Sequence, residues 1–169
     1  MSFPLGSLGA PGAAPQRDAA APQARWRLQF GVVFGAVLWL LALLALATHS
    51  ADDPAWSTSG LGGAVANRAG VAGAWFADLA LFLFGYSAWW GLVIAGRAWL
   101  GSLARLLRGP AAPADGQRPA WLFWLGVGLL LAASCSLEWT RLYRWEAGLP
   151  GGHAGGVLGH ALGGFSVHL

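Results

Sequence analysis

Three long runs of apolar residues dominate the chain. Positions 28–48, 79–96 and 120–137 contain no charged side chain. A helix that crosses a bilayer needs about 20 mostly apolar residues, because it rises about 1.5 Å per residue through a hydrocarbon core of roughly 30 Å. The pattern therefore predicts an all-α integral membrane protein, a bundle of three transmembrane helices.

The segments around these runs have a different composition. Residues 1–24 are mostly Pro, Ala, Gly and Ser, which predicts a flexible tail ahead of a membrane domain at 25–169. Within this domain we expect loops at 50–77 and 97–119. The segment 138–169 is rich in Gly, and we expect it to stop without a fourth full span.

The arginines indicate an orientation, because cytoplasmic loops retain an excess of positive residues. Three arginines precede the first run and four lie in 97–119, whereas the loop 50–77 carries only Arg68. We therefore expect the N-terminus and 97–119 in the cytoplasm. The loop 50–77 and the segment 138–169 would then lie outside.

Composition supports burial in lipid and changes the interpretation of the charge. The chain is 56% hydrophobic with 11 Trp, and 10% of its residues are charged. A net charge of +3 could indicate a nucleic-acid partner, but a nucleic-acid-binding protein clusters its basic residues on one face. Here they flank the apolar runs, so we expect a lipid partner and no direct nucleic-acid contact.

Few residues offer catalytic chemistry. The chain contains no Lys, so it cannot form the GxxxxGK[ST] phosphate loop, and GxSxG, HExxH and CxxC are also absent. Cys135 is the single cysteine, which excludes an intrachain disulfide. We expect no catalytic residue, no cofactor site and no metal site.

The histidines are the remaining candidates for metal or haem ligation. His153 and His160 could share a helix face at seven-residue spacing, while His49 and His168 stand apart. No carboxylate flanks this pair in the manner of residues that support a metal ligand. We interpret all four as loop histidines.

Small residues recur every four positions in each run. Gly31 and Gly35 do so in the first, Ser87, Gly91 and Ala95 in the second, and Gly128, Ala132 and Ser136 in the third. Four-residue spacing places each set on one helix face, where backbones approach closely in lipid. The spacing favours a packed bundle.

The most distinctive sequence follows the first run. It reads D-P-A-W-S from Asp53, N-R-A-G-V-A-G-A-W-F-A-D-L from Asn67 and L-F-L-F-G-Y up to Tyr86. These residues resemble the N-terminal four-span region of the FtsK/SpoIIIE family of bacterial DNA translocases. The likeness extends from about Arg25 to the end of the chain and includes G-G-V-L-G at 155–159. The positions that match the family signature are Asp53, Pro54, Trp56, Ser57, Gly70, Gly73, Trp75, Asp78 and Gly85.

This resemblance implies a function. Family members are multi-pass anchors in the bacterial inner membrane that assemble at the division septum as homo-oligomers, expected to be hexamers, with other septal division proteins. They tether a cytoplasmic ATPase that moves DNA and uses ATP and Mg²⁺. The chain departs from the pattern because it lacks the fourth span and the motor, so we expect no enzymatic activity of its own.

Two alternatives remain at this point. The chain could be a small oligomeric membrane transport or channel subunit, which would need a polar path, or a haem-bearing redox subunit. No run has an ionisable residue at its centre, and such residues mark ion and proton paths in membranes. The absence of one disfavours transport.

Overall fold

A computed structural model describes residues 20–60, 63–108 and 119–167. Positions 1–19 of the predicted tail, 1–24, lie outside the described residues. Positions 109–118 of the predicted 97–119 loop also lie outside them.

The described residues form five α-helices and no strand. The helices are α1 (Ala20–Ala47), α2 (Gly70–Phe84), α3 (Trp89–Arg108), α4 (Ala120–Arg141) and α5 (Gly156–Val167). Short 3₁₀ turns lie at Gly85–Ala88, Tyr143–Gly148 and Pro150–Gly152. Three stretches are long and apolar enough to cross a membrane, namely Trp26–Ala47, Gly70–Arg108 and Ala120–Arg141. The prediction of an all-α membrane protein with three candidate spans is confirmed.

Helices α1 and α3 run antiparallel, and two indole groups connect them. Trp39 Nε1–H donates to the carbonyl of Leu92 at 2.8 Å, and Trp99 Nε1–H donates to the carbonyl of Val32 at 2.8 Å. The residue numbers fall on one helix as they rise on the other. These bonds fix the register of the pair and satisfy two partly buried polar groups that lipid could not.

A glycine breaks the second apolar run. Gly85 has φ +60° and ψ −146°, and its N–H bonds back to the carbonyl of Leu81, so α2 ends there and α3 begins after one 3₁₀ turn. The span predicted at 79–96 thus contains the break. Helix α2 also begins at Gly70, inside the segment 50–77 that the sequence predicts as a loop.

The third run extends beyond its predicted end. Helix α4 continues from the predicted limit at 137 to Arg141, and α5 occupies part of the segment predicted as a Gly-rich extension, 138–169. Gly155 and Gly156 have φ of +75° and +62° and lie directly against the backbone of α4 and α2. The backbones meet so closely here that a side chain would not fit.

The buried core lies at one end of the bundle. Its residues are Ala45, Leu46, Ala77, Leu81, Ala88, Leu92 and Leu149. This is the end where α1 and α4 finish and α3 begins, and we call it the cap end. Elsewhere most large apolar side chains are exposed, as expected of a surface that lipid covers.

Candidate functional site: the cap

The cap consists of the described residues of 48–69 together with α2. It sits on the C-terminal end of α1. The side chain of Asn67, 3% exposed, donates from Nδ2 to the carbonyl of Ala45 at 2.9 Å. A helix terminus leaves carbonyls without intrahelical partners, and Asn67 satisfies one of them.

Asp53 folds the first part of the cap around itself. Its carboxylate is 3% exposed and accepts hydrogen bonds from the N–H groups of Ala66 at 2.6 Å and Asn67 at 2.9 Å. The Thr58 hydroxyl donates to the Asp53 carbonyl at 2.8 Å. Pro54 lies so close to Gly60 that a Cβ there would be 2.7 Å from the Pro54 nitrogen, and the Gly60 φ of +71° also disfavours a side chain.

Asp78 connects the loop to α2. It is 2% exposed, and it accepts from the Ser57 N–H at 2.7 Å and from the Ser57 hydroxyl at 2.8 Å. Ser57, 21 positions earlier in the chain, therefore donates to both carboxylate oxygens of Asp78. Burial of a carboxylate is tolerated because charge-assisted bonds replace its water.

Two tryptophans meet on the outer surface of the cap. The rings of Trp56 and Trp75 lie with centroids 6.5 Å apart and planes at 70°, an edge-to-face contact. They nevertheless remain 59% and 48% exposed. The contact fixes the loop over α2 without burying either ring.

His49 follows the end of α1 and interacts electrostatically with Asp78 and Asp53. Its Nε2 atom is buried and has no hydrogen-bond partner among the described residues. Burial lowers the pKa of His49 below its ordinary value of 6.5, and Asp78 and Asp53 oppose this shift by favouring the charged ring. The cap thus holds a histidine that is disposed to stay neutral.

Three signature glycines permit a backbone conformation or a close contact that other residues would not. Gly70 starts α2 with φ +74°. A Cβ on Gly73 would lie 2.8 Å from Asn67 Oδ1, and a Cβ on Gly85 would lie 2.6 Å from Glu138 Oε2. Glycine is required at Gly70 and Gly85 for backbone conformation and at Gly73 and Gly85 for space.

A second buried carboxylate site, which we call the Glu138 cluster, joins α4 to the break before α3. Glu138 is 6% exposed. Its carboxylate accepts from the N–H groups of Tyr86 at 2.8 Å and Gly155 at 3.2 Å, and from the Ser87 hydroxyl.

The cluster extends through a second serine. The Ser87 and Ser134 hydroxyls lie 2.6 Å apart, and Trp90 Nε1–H donates to Ser134 at 3.3 Å. Since the single hydroxyl hydrogen of Ser87 goes to Glu138, the Ser134 hydroxyl supplies the hydrogen between the two serines. One carboxylate thereby connects α4, the Gly85–Ala88 turn and the lead-in to α5.

The structure brings most of the sequence-predicted site residues together. Those that share the cap are Asp53, Pro54, Trp56, Ser57, Gly70, Gly73, Trp75 and Asp78, whereas Gly85 belongs to the Glu138 cluster. The sequence analysis gave Glu138 no role. It quoted Asn67 only as part of the motif and interpreted His49 as a loop histidine. For Glu138 the available signal was a lone acidic residue one position beyond an apolar run.

The histidine pair is close in space. The rings of His153 and His160 stack with centroids 4.8 Å apart and planes at 18°. Within the described ranges, no three His, Cys, Asp or Glu side chains are grouped so that they could hold a metal ion.

Most of the chain matches a known family. Residues 24–169 fit the family described as the 4TM region of DNA translocase FtsK/SpoIIIE. The chain belongs to this family. The resemblance inferred from the cap residues is confirmed.

Named relatives are DNA translocases. The chain is 38% identical over 150 residues to DNA translocase FtsK 2 of Ralstonia nicotianae, covering 83% of this chain and 19% of that protein. It is 39% identical over 148 residues to DNA translocase FtsK of Pseudomonas syringae pv. tomato, covering 83% and 17%. For DNA translocase FtsK of Shewanella oneidensis the identity is 32% over 139 residues, covering 80% and 14%.

The chain therefore corresponds to less than a fifth of the length of these FtsK relatives. No solved structure matches it. Family membership together with the three apolar helices indicates a multi-pass protein of the inner membrane.

Proposed function

We propose that this chain is the membrane-anchoring and assembly region of a cell-division DNA translocase. It would tether a cytoplasmic DNA-pumping ATPase at the division septum, with the N-terminus in the cytoplasm and the cap outside. The match of residues 24–169 to the membrane region of FtsK/SpoIIIE carries the proposal. On this view ATP and Mg²⁺ belong to the motor, and the chain itself has no catalytic role.

Septal placement is tested by a fluorescent fusion to the chain in dividing cells. We expect enrichment at the septum. Asp78→Ala, which disconnects the loop from α2, should reduce the enrichment if the cap contacts septal division proteins. Asp52→Ala is the matched control, because the Asp52 side chain is exposed. A uniform membrane signal from the unmodified chain would contradict the septal role.

Assembly into a homo-oligomer, expected to be a hexamer, is the second part of the proposal. Gly91 and Gly128 support it, because both are exposed and have no heavy atom within 4 Å of the position of a Cβ. Such open glycine faces let a helix of another copy approach closely in lipid.

Native mass spectrometry from nanodiscs measures the copy number. We expect six copies for the unmodified chain and smaller species for Gly128→Leu. Leu125→Ile on the same helix is the control and should leave the copy number unchanged. A monomer at all concentrations would contradict assembly by this region.

No contact among the described residues supports a function as a transport or channel subunit. In the described part of the chain, the buried carboxylates Asp53, Asp78 and Glu138 each accept hydrogen bonds from neighbouring groups. Through these hydrogen bonds the three carboxylates hold segments together, and the bonds do not form a polar path.

A further inference from the structure

The outward face of helix α2 is apolar, and its one charged residue is buried. Its buried residues are Gly73, Ala74, Ala77, Asp78 and Leu81. Its exposed large residues are Val71, Trp75, Phe76, Leu79 and Leu83. A surface helix in water carries its apolar residues inward and its charges outward. Here the acidic residue faces inward, whereas Trp75 and Phe76 face outward, which suits a helix whose outer surroundings are lipid.

Both ends of α2 lie at the cap end of the bundle. At its start, a Cβ on Gly73 would lie 3.4 Å from the Ala45 Cβ, within the last turn of α1. At its end, Gly85 touches Glu138, within the last turn of α4. A helix whose two ends meet the same end of the bundle lies across that end and does not run to the opposite side.

Length leads to the same conclusion. The candidate span Gly70–Arg108 has 39 residues, which as a straight helix would measure about 58 Å, roughly twice the hydrocarbon core. Helix α3 alone has 20 residues and measures about 30 Å, close to the thickness of the core. It carries one charged residue before its last turn, the exposed Arg97. Arg105 and Arg108 lie in its last turn, where charges reach the headgroups.

The outward face of α2 is continuous with surfaces that lipid covers. Ala69, Ala72 and Phe76 of the cap close one end of an apolar groove of about 690 Å³. Its walls are residues of α1 and α3, which are candidate spans, from Gly31 to Ala45 and from Leu92 to Ser102. Phe76 therefore shares an apolar surface with two membrane-crossing helices.

We propose that α2 lies in the plane of the membrane surface at the cap end, and that α3 alone makes the second crossing. Its outward residues, together with Trp56, embed at the boundary between phospholipid headgroups and acyl chains. Apolar side chains at a membrane surface lie about 5–10 Å into this boundary, and indole rings are favoured at that depth. The lipid surface is thus the partner of the exposed part of the cap.

Spin-label depth measurements test this directly. The chain carrying Val71→Cys, Leu79→Cys or Leu83→Cys is labelled and reconstituted into vesicles of phosphatidylcholine and phosphatidylglycerol. Collisions with oxygen and with a water-soluble nickel complex report depth. Leu129→Cys, near the middle of α4, provides the deep reference and Ser59→Cys the aqueous one, since both native side chains are exposed. Cys135 is fully buried, so the unsubstituted chain measures background labelling.

We expect the three α2 labels at the same shallow depth, between the two references. A depth that changes steadily from residue 71 to residue 83, by about 18 Å along the helix axis, would show that α2 crosses the membrane and would overturn the proposal. Dominant nickel collisions at all three positions, or no collisions with either reagent, would overturn it as well. These outcomes would place the face in water or under protein. None of them affects the anchoring function.

Discussion

At the scale of single residues, buried carboxylates hold separate segments together at the cap end. Asp53 closes the loop, Asp78 connects the loop to α2, and Glu138 connects α4 to the turn before α3. Each accepts at least two hydrogen bonds from groups distant in sequence. Removing one leaves buried donors without acceptors, which costs more than the bond itself contributes.

Asp78→Ala should loosen the cap. It leaves the Ser57 N–H and hydroxyl without their acceptor, and we expect a loss of about 1.5–3 kcal/mol, the range for hydrogen bonds to a charged group. The readout is the rate of trypsin cleavage after Arg68, which is exposed in the loop. Asp78→Asn, which keeps one acceptor oxygen, should have a smaller effect. Equal cleavage rates in all three proteins would contradict the assigned role of Asp78.

His49 makes the cap sensitive to acid. Burial lowers its pKa below 6.5 in the folded protein, so the unfolded chain binds the proton more readily. The full stability is present above pH 6.5 and is lost as the pH falls through the folded-state pKa. Thermal midpoints measured from pH 8 to pH 5 should fall less for His49→Phe than for the native chain. Parallel curves would show that His49 does not contribute.

At the scale of helices, the break at Gly85 and the two indole bonds determine how the elements meet. Gly85 turns the chain between α2 and α3 with a backbone conformation that other residues rarely adopt. The indole bonds then hold α3 against α1. Gly85 sets the direction in which α3 leaves α2, and the indole bonds set the register of α3 against α1.

Gly85→Ala should disrupt the turn. The new Cβ would meet Glu138 Oε2 and the Gly155 N–H, both at 2.6 Å, at a φ of +60°. We expect a loss of about 1–3 kcal/mol or more. Gly91→Ala is the matched control, because Gly91 is helical with open space around it, and it should be neutral or stabilise α3 by up to about 1 kcal/mol. Thermal midpoints in detergent compare the two, and a harmless Gly85→Ala would refute this account of the break.

Trp39→Phe and Trp99→Phe should each weaken the α1–α3 pair. Each removes one interhelical hydrogen bond and retains an aromatic ring. Such bonds contribute about 0.6–2 kcal/mol in lipid. Unfolding by titration with sodium dodecyl sulfate measures the loss. Trp121→Phe, at an exposed position on α4, should leave the unfolding midpoint unchanged, and an equal loss there would contradict the specific role of the two indoles.

At the scale of the whole molecule, the arginine distribution predicts which side each end of the bundle faces. Ser59→Cys in the cap should react with a membrane-impermeant maleimide in intact cells. Leu107→Cys, near the end of α3, should react only after the membrane is permeabilised. Both native side chains are exposed, so access depends on the side of the membrane. The opposite pattern would reverse the proposed orientation.

Hydropathy predicted the helical class and the three candidate spans, because the absence of charge over about 20 residues is a local property. It could not predict that the second run contains two helices, since the residues on both sides of the break are apolar. Gly85 was visible in the sequence, but its role depends on Glu138 and Gly155, which approach only in the folded chain.

Burial of Glu138 was unpredictable for the same reason. A carboxylate next to an apolar run is expected at the membrane surface, and the donors that allow its burial come from Tyr86, Ser87 and Gly155. By contrast, the cap residues Asp53, Trp56 and Asp78 were recognisable because they form a compact signature between two apolar runs.

The paired indole bonds between α1 and α3 have a mechanical consequence. Under the proposed function, the chain holds a DNA-pulling motor and bears load along its helix axes, and that load would shear neighbouring helices past each other. Sliding by one residue, about 1.5 Å, would stretch the Trp39–Leu92 and Trp99–Val32 bonds together. The two helices would therefore resist sliding along their axes. In the proposed orientation, they would transmit force together from the cytoplasmic side to the cap.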